Sequence, residues 1–249
     1  MKHNIKITLI LLFMFLAAQF IGLYVVGNYS SVKIVNGESI KVESPDLPFG
    51  LQPPEIRETS EFSQMFFIIF MAFVFAILLL LLLTRIKAEF LIKLWFFLVV
   101  LIALGISANV FISKIFDSSV EVFSATLPVS WLLSIALMLP LALVKIYRRD
   151  FLVHNATELF IYPGIAAIFV PILNIYTILI LLILISVYDI WAVWHSGIMQ
   201  KMAKYQIRKL KVFSGFFVPY VSSKMKEKLK KLKPSELRKR KIRVNLAIL

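Results

Sequence analysis

Long apolar segments alternate with short charged links along most of this 249-residue chain. Four apolar runs each approach the roughly 20 residues that a helix needs to cross a bilayer; they lie at about 7–26, 63–84, 91–112 and 124–144. A fifth run, 159–194, is too long for one helix and predicts two, with a turn near Pro171 and Asn174. The pattern therefore predicts six transmembrane helices.

The segment 28–62 is the one sizeable polar stretch before the basic tail of the chain. Within it, Asn36 and Gly37 stand between two runs of alternating apolar and polar residues, a pattern typical of a β-hairpin with a tight turn. We therefore expect an extracytoplasmic loop at 28–62 that carries a small β-hairpin.

Composition supports a membrane protein, because 60% of the residues are hydrophobic and only 17% are charged. The predicted fold class is all-α, a polytopic transmembrane bundle of about six spans that occupies residues 1–196. Cysteine is absent, which excludes disulfides, zinc–thiolate sites and thiol catalysis. No phosphate-binding glycine loop and no metal-ligand spacing is present, so neither a cofactor nor a metal is predicted.

The distribution of charge predicts the topology. Residues 1–196 hold 12 basic and 12 acidic side chains, so the net charge of +14 arises in 197–249, which hold 16 and 2. Basic residues near the span ends fall mainly on one side, which predicts a cytoplasmic amino terminus in a multi-pass protein of the cell membrane; they are Lys2, Lys6, Arg85, Lys87, Lys93, Lys145, Arg148 and Arg149. We interpret 197–243 as a basic cytoplasmic loop on anionic lipid, and its position beside the spans disfavours nucleic-acid binding.

One ionisable residue, Asp189, lies inside a predicted span, whereas Glu158 and His195 fall at predicted helix ends and look interfacial. A carboxylate within the membrane is costly unless it faces water or a partner, so a functional role is expected. From the residues alone, three roles stay open: a partly hydrated structural carboxylate, a proton or ion relay, and a catalytic group.

The Tyr-Asp pair at 188 and 189, preceded by the segment 158–171 in the fifth span, resembles the presenilin and signal peptide peptidase group of intramembrane aspartyl proteases, especially its archaeal members. The resemblance implies that Asp189 is the first catalytic aspartate and that Tyr188 helps to shape the substrate cleft. It also implies that the substrate is a transmembrane or signal-peptide helix. Such hydrolysis needs one ionised and one protonated carboxyl group.

The sequence departs from the family pattern in its second half. The family's Gly-x-Gly-Asp motif is missing, and Leu-Pro-Leu-Ala-Leu at 139–143 is not the family's Pro-Ala-Leu motif. We therefore expect 244–249 to begin a truncated seventh helix, and the chain alone to be an inactive amino-terminal fragment. The alternative hypothesis is a transporter or channel subunit in which Asp189 relays protons or ions. A third hypothesis is a purely structural membrane subunit. The sequence predicts no oligomeric state.

Two smaller features complete the expectations. Pro163 and Gly164 are expected to loosen the fifth span. The apolar island at 213–221, within the basic loop, is too short to cross a membrane. It can dip into the membrane interface, pack against the mouth of the cleft or form a buried turn, and we favour the buried turn.

Overall fold

The structure is a computed structural model that describes residues 5–30, 32–35, 38–41, 47, 59–116, 118–122, 125–148, 150–170, 173, 175–192, 194, 205–206, 210, 214–220 and 245–248. Within these ranges six α-helices follow one another: α1 (Ile5–Tyr29), α2 (Thr59–Arg85), α3 (Glu89–Ile112), α4 (Val129–Tyr147), α5 (Phe151–Phe169) and α6 (Ile175–Trp191). Three antiparallel strand pairs lie between or after the helices: β1 (Val32–Val35) with β2 (Glu38–Lys41), β3 (Ser119–Val122) with β4 (Ala125–Pro128), and β5 (Phe217–Tyr220) with β6 (Asn245–Ile248).

Helices α1 to α5 are long and apolar enough to cross a membrane, and α6 is a shorter apolar helix of 17 residues. Their outward side chains are mostly large and hydrophobic, as a helix surrounded by lipid requires. Helix α2 has the least protein contact: in its most apolar stretch, no described residue is buried inside the bundle. The predicted class, an all-α polytopic membrane bundle, is confirmed.

Helix α3 lies at the centre and packs against α1, α4 and α5, while α1 also packs along α5. One core cluster joins Leu104 of α3 to Ala142 of α4 and Ile161 of α5. A second joins Val25 of α1 to Ile106 of α3 and to α5. Helices α2 and α6 stand outside this four-helix core, with α2 contacting both α3 and α6.

Gly164 allows α3 and α5 to approach at backbone distance. A Cβ atom placed on Gly164 would overlap the backbone carbonyl of Ala103 on α3. The sequence predicts that Gly164 loosens the fifth span; the structure gives this residue a packing role, because the missing side chain is what permits close packing of the two helices. Pro163 does lie inside α5, and its side chain is buried.

The fourth and fifth helices begin at residues other than those predicted. Helix α4 starts at Val129 rather than near 124, because the preceding residues form the β3–β4 hairpin, in which Ser119 is paired with Pro128. Helix α5 starts at Phe151 rather than 159, since the Asp150 side chain caps it by accepting a hydrogen bond from the Val153 N–H at 3.0 Å.

Glu158 is consequently the eighth residue of α5 and is only 1% exposed, so the interpretation of Glu158 as an interfacial residue at a helix end is wrong. Asp189 is likewise not the one ionisable residue inside a helix, because Lys145 in α4 and His154 in α5 are also buried there. The polar residues of α5 face protein rather than lipid or water, which is how a membrane helix accommodates them.

Two of the strand pairs fall in segments that the sequence places outside the six spans. β1 pairs with β2 in the segment where alternation favoured a hairpin. β6 pairs with β5 in the register Val218↔Ala247, so residues 245–248 are a strand within the segment 244–249, where the sequence predicts the start of a seventh helix.

Several predicted features lie outside the described residues. They include the hairpin turn at Asn36 and Gly37, and the turn between the fifth and sixth helices at Pro171 and Asn174. Most of the predicted loop 197–243, with His195 just before it, lies outside them as well.

Candidate functional site

Asp189 lies two residues before the end of α6 and is partly buried. Helix α6 packs mainly against α2, and Thr177, near the start of α6, is the one buried side chain among its described residues. No described residue forms a hydrogen bond or an ion pair with the Asp189 carboxylate. The carboxylate is thus available for a partner that the described residues do not supply.

Tyr188 faces α2. Its ring meets that of Phe73 edge to face, with 6.4 Å between the ring centroids and an interplanar angle of 81°. Both rings line an open apolar groove of about 420 Å³ between α2 and α6, together with residues such as Ile77, Leu184 and Trp191. Asp189 is about 100° further around the helix axis and is not part of the groove lining.

A second polar constellation, on α4 and α5, was not predicted from the sequence. Lys145 donates from Nζ to Glu158 Oε1 at 2.6 Å, and both side chains are almost completely buried. His154, one turn before Glu158, has its Nδ1 at 3.4 Å from the same Nζ and its Nε2 at 3.5 Å from Glu158 Oε1. A buried ammonium and a buried carboxylate stabilise each other only in close contact, which this geometry provides.

The same face of α5 binds the backbone of a distant segment. His154 Nε2 is 3.0 Å from the Gly215 carbonyl oxygen, and the Gly215 N–H donates to Glu158 Oε1 at 3.3 Å. The Asn155 side chain donates to the Phe217 carbonyl at 2.9 Å and accepts from the Phe217 N–H at 3.1 Å. Four backbone groups of residues 215 and 217 are therefore satisfied by three side chains of one helix.

The signal for this constellation was present in the sequence. Asp150 followed by an apolar residue is a helix start, and from there His154, Asn155 and Glu158 share one helical face. Placing the start of the fifth helix at 159 excluded them from the membrane bundle. The sequence predicts that Lys145 lies at the membrane interface, but its side chain is buried in contact with Glu158.

The apolar island at 213–221 lies partly within the described residues. Phe216 is buried between α1 and α5 beside Leu11 and Ala18. Its ring also meets that of Tyr162, with 5.7 Å between centroids. Residues 214–216 precede β5 as an irregular segment, and Gly215 has a backbone φ of 119°, which only glycine adopts without strain.

Comparison with known proteins identifies the family. The family model described as signal-peptide peptidase, presenilin aspartyl protease matches residues 48–231. The match covers about three quarters of the chain, from the loop before α2 to beyond β5. No curated protein and no solved structure matches the chain.

This chain therefore belongs to the signal-peptide peptidase and presenilin family of aspartyl proteases. With six apolar helices among its described residues, it is a multi-pass membrane protein of that intramembrane protease family.

Proposed function

We propose that Asp189 is one of the two catalytic aspartates of an intramembrane aspartyl protease that cleaves transmembrane or signal-peptide helices. The supporting observation is the position of the Tyr-Asp pair, near the end of the short helix α6, in a chain of the presenilin and signal peptide peptidase family. Family membership gives no support to the alternative of a transporter or channel subunit.

The proposed reaction requires a second carboxyl group close to Asp189. One ionised carboxylate takes a proton from the attacking water, and one protonated carboxyl donates a hydrogen bond to the scissile carbonyl. We propose that the second group belongs to a Gly-x-Gly-Asp segment, which these 249 residues do not contain. The 249 residues alone would then be inactive.

Tyr188 is proposed as a residue of the substrate cleft. It borders the apolar groove between α2 and α6, whose lining matches the apolar surface of a transmembrane helix. Asp189 lies next to it on the same helical turn, so a substrate seated along the groove would have its backbone within one helix width of the carboxylate.

The proposed orientation places the amino terminus in the cytoplasm of a cell-membrane protein. Six spans then return the end of α6, with Asp189, to the cytoplasmic side. The segment 197–243, with most of the net positive charge, is proposed to lie there against anionic headgroups.

The decisive experiment uses the gene from its own start codon to its natural stop, with the product purified in detergent. Cleavage of a synthetic transmembrane peptide is compared for the native protein and Asp189→Asn. We expect the rate to fall by about a hundredfold or more, the loss typical of removing a general acid or base. Cleavage by Asp189→Asn at the native rate would refute the assignment.

Asp150→Asn is the matched control, because it makes the same chemical change at a helix cap. Asparagine caps a helix as well as aspartate does, so neither folding nor cleavage should change. Both variants should elute from size exclusion at the same volume as the native protein.

A further inference from the structure

Residues 214–216 are irregular and lead into strand β5, and this stretch of chain lies against the membrane bundle rather than outside it. Phe216 is 2% exposed, and Val218 packs in the same cluster, beside Leu11 of α1 and Leu159 of α5. A non-helical backbone that is buried against helices, as at Gly215 and Phe216, needs a partner for each polar group, because unpaired N–H and C=O groups are costly where water is excluded.

The side chains of α5 supply those partners on one edge of the segment. Asn155 makes both hydrogen bonds to Phe217 that a residue of a neighbouring strand would make, one donated and one accepted. His154 and Glu158 contact the carbonyl oxygen and the N–H of Gly215, so the backbone of the irregular stretch before β5 faces α5 as well.

The other edge of the segment pairs with β6. Backbone groups alternate in direction along a strand, so Val218 and Tyr220 face β6 when Phe217 faces α5. Pro219, which has no N–H, then stands at a position directed away from β6. The segment is thus held between a helix on one side and a strand on the other.

Lys145 completes the arrangement from α4. Its ammonium lies 2.6 Å from Glu158 Oε1 and compensates the charge of the carboxylate that accepts the Gly215 N–H. Lys145, His154, Asn155 and Glu158 are all buried and paired, a degree of organisation that a chance contact of a surface loop would not have.

We propose that His154, Asn155 and Glu158, supported by Lys145, form a backbone clamp that holds residues 215–217 against α5 and thereby positions the β5–β6 strand pair for proteolysis. The clamp itself is a binding site for a non-helical peptide backbone, occupied by the chain's own segment. Its effect on proteolysis rests on the proposed function.

The location of the clamp supports this role. Helices α5 and α6 are consecutive spans, so the first half of α5 and the last turns of α6 lie toward the same side of the membrane. The clamp therefore fixes the chain that follows α6 on the side where α6 presents Asp189. The four residues are positioning residues, since none of them contacts Asp189 or the groove beside Tyr188.

The first test measures docking of the segment directly. The chain has no cysteine, so Phe151→Cys/Phe217→Cys introduces a unique pair at rings that lie 5.6 Å apart, without removing a clamp side chain. We expect rapid cross-linking by a short bismaleimide. Adding Asn155→Leu removes two hydrogen bonds and should slow cross-linking by about tenfold.

Asn109→Leu is the matched control, because Asn109 is also a buried asparagine but lies on α3 beside Tyr29. It should leave the cross-linking rate of the cysteine pair unchanged. Cross-linking of the Asn155→Leu protein at the rate of the Asn109→Leu protein would overturn the clamp.

The second test separates positioning from folding, using the full gene product and the transmembrane peptide. We expect Asn155→Leu to lower kcat by about tenfold with little change in KM. Joining the two introduced cysteines, at positions 151 and 217, in that variant should restore kcat, because the covalent link replaces the lost hydrogen bonds. Unchanged cleavage without the cross-link, or failure of the cross-link to restore kcat, would overturn the positioning role.

The experiments distinguish a failure of the proposed catalytic role of Asp189 from a failure of the proposed clamp. If Asp189→Asn still cleaves the peptide, the proposed catalytic aspartate is wrong, while the cross-linking rates still decide whether the clamp exists.

Discussion

The contact between α3 and α5 at Gly164 gives a sharp test of the packing. In Gly164→Ala the new methyl group would overlap three backbone atoms of Ala103, its O, C and Cα. Backbone atoms cannot rotate away, so the two helices must separate or the methyl group must strain its own helix. Overpacking of this kind costs about 3 kcal/mol.

The substitution also stabilises the helix, and this gain must be subtracted from the cost. Replacing glycine by alanine inside a helix raises the free energy of unfolding by about 1 kcal/mol, because the unfolded chain loses conformational freedom. The net loss for Gly164→Ala is therefore about 2 kcal/mol, which corresponds to a fall in Tm of about 4–8 °C for a chain of this size.

Gly22→Ala provides the control. Gly22 is also inside a helix, α1, but a Cβ atom there would meet nothing within 4 Å. Its Tm should stay the same or rise by about 1–4 °C. Thermal unfolding of both variants in the same detergent, followed by tryptophan fluorescence, measures the difference. A Tm for Gly164→Ala equal to or above that of Gly22→Ala would refute the close approach of α3 and α5.

Three further contacts can be tested by substitution in the same thermal assay. Lys145→Met should cost about 3–5 kcal/mol because it leaves the buried Glu158 carboxylate without its ammonium partner, and adding Glu158→Leu should recover most of that loss; a single variant as stable as the double would contradict the ion pair. Tyr29→Phe removes a hydroxyl that donates to Ile106 O at 3.0 Å, and should cost about 1–3 kcal/mol. Tyr188→Phe should leave Tm unchanged, whereas Tyr188→Ala should lower stability by about 1 kcal/mol through loss of the ring contact with Phe73; equal Tm values would argue against that contact.

The number of helices and their class could be predicted from hydropathy alone, because an apolar run of bilayer length has few other solutions. The start of α5 could not be predicted in the same way. Residues 151–158 contain His154, Asn155 and Glu158, which lower the hydropathy and suggest a loop. Only the position of Lys145 and of residues 215–217 around them shows that these side chains are paired inside the bundle.

The candidate catalytic residue, in contrast to the start of α5, could be predicted from the sequence. Asp189 and Tyr188 were found from the sequence, and the structure adds the packing of Tyr188 against α2.

The strand β6 could not be foreseen, because the apolar run at its position suits a helix or a strand equally well. Its partner β5 lies about 30 residues earlier, and a pairing over that distance leaves no local pattern.

The clamp on α5 has a consequence for how this chain can diverge. It recognises backbone atoms of residues 215 and 217, which every amino acid except proline can offer, so the contacts do not specify side chains at those positions beyond the positive φ of Gly215. In related sequences the segment is therefore free to change, provided that its buried side chains keep their volume. His154, Asn155 and Glu158 have no such freedom, since an extended backbone in a membrane bundle offers the same four groups whatever its sequence.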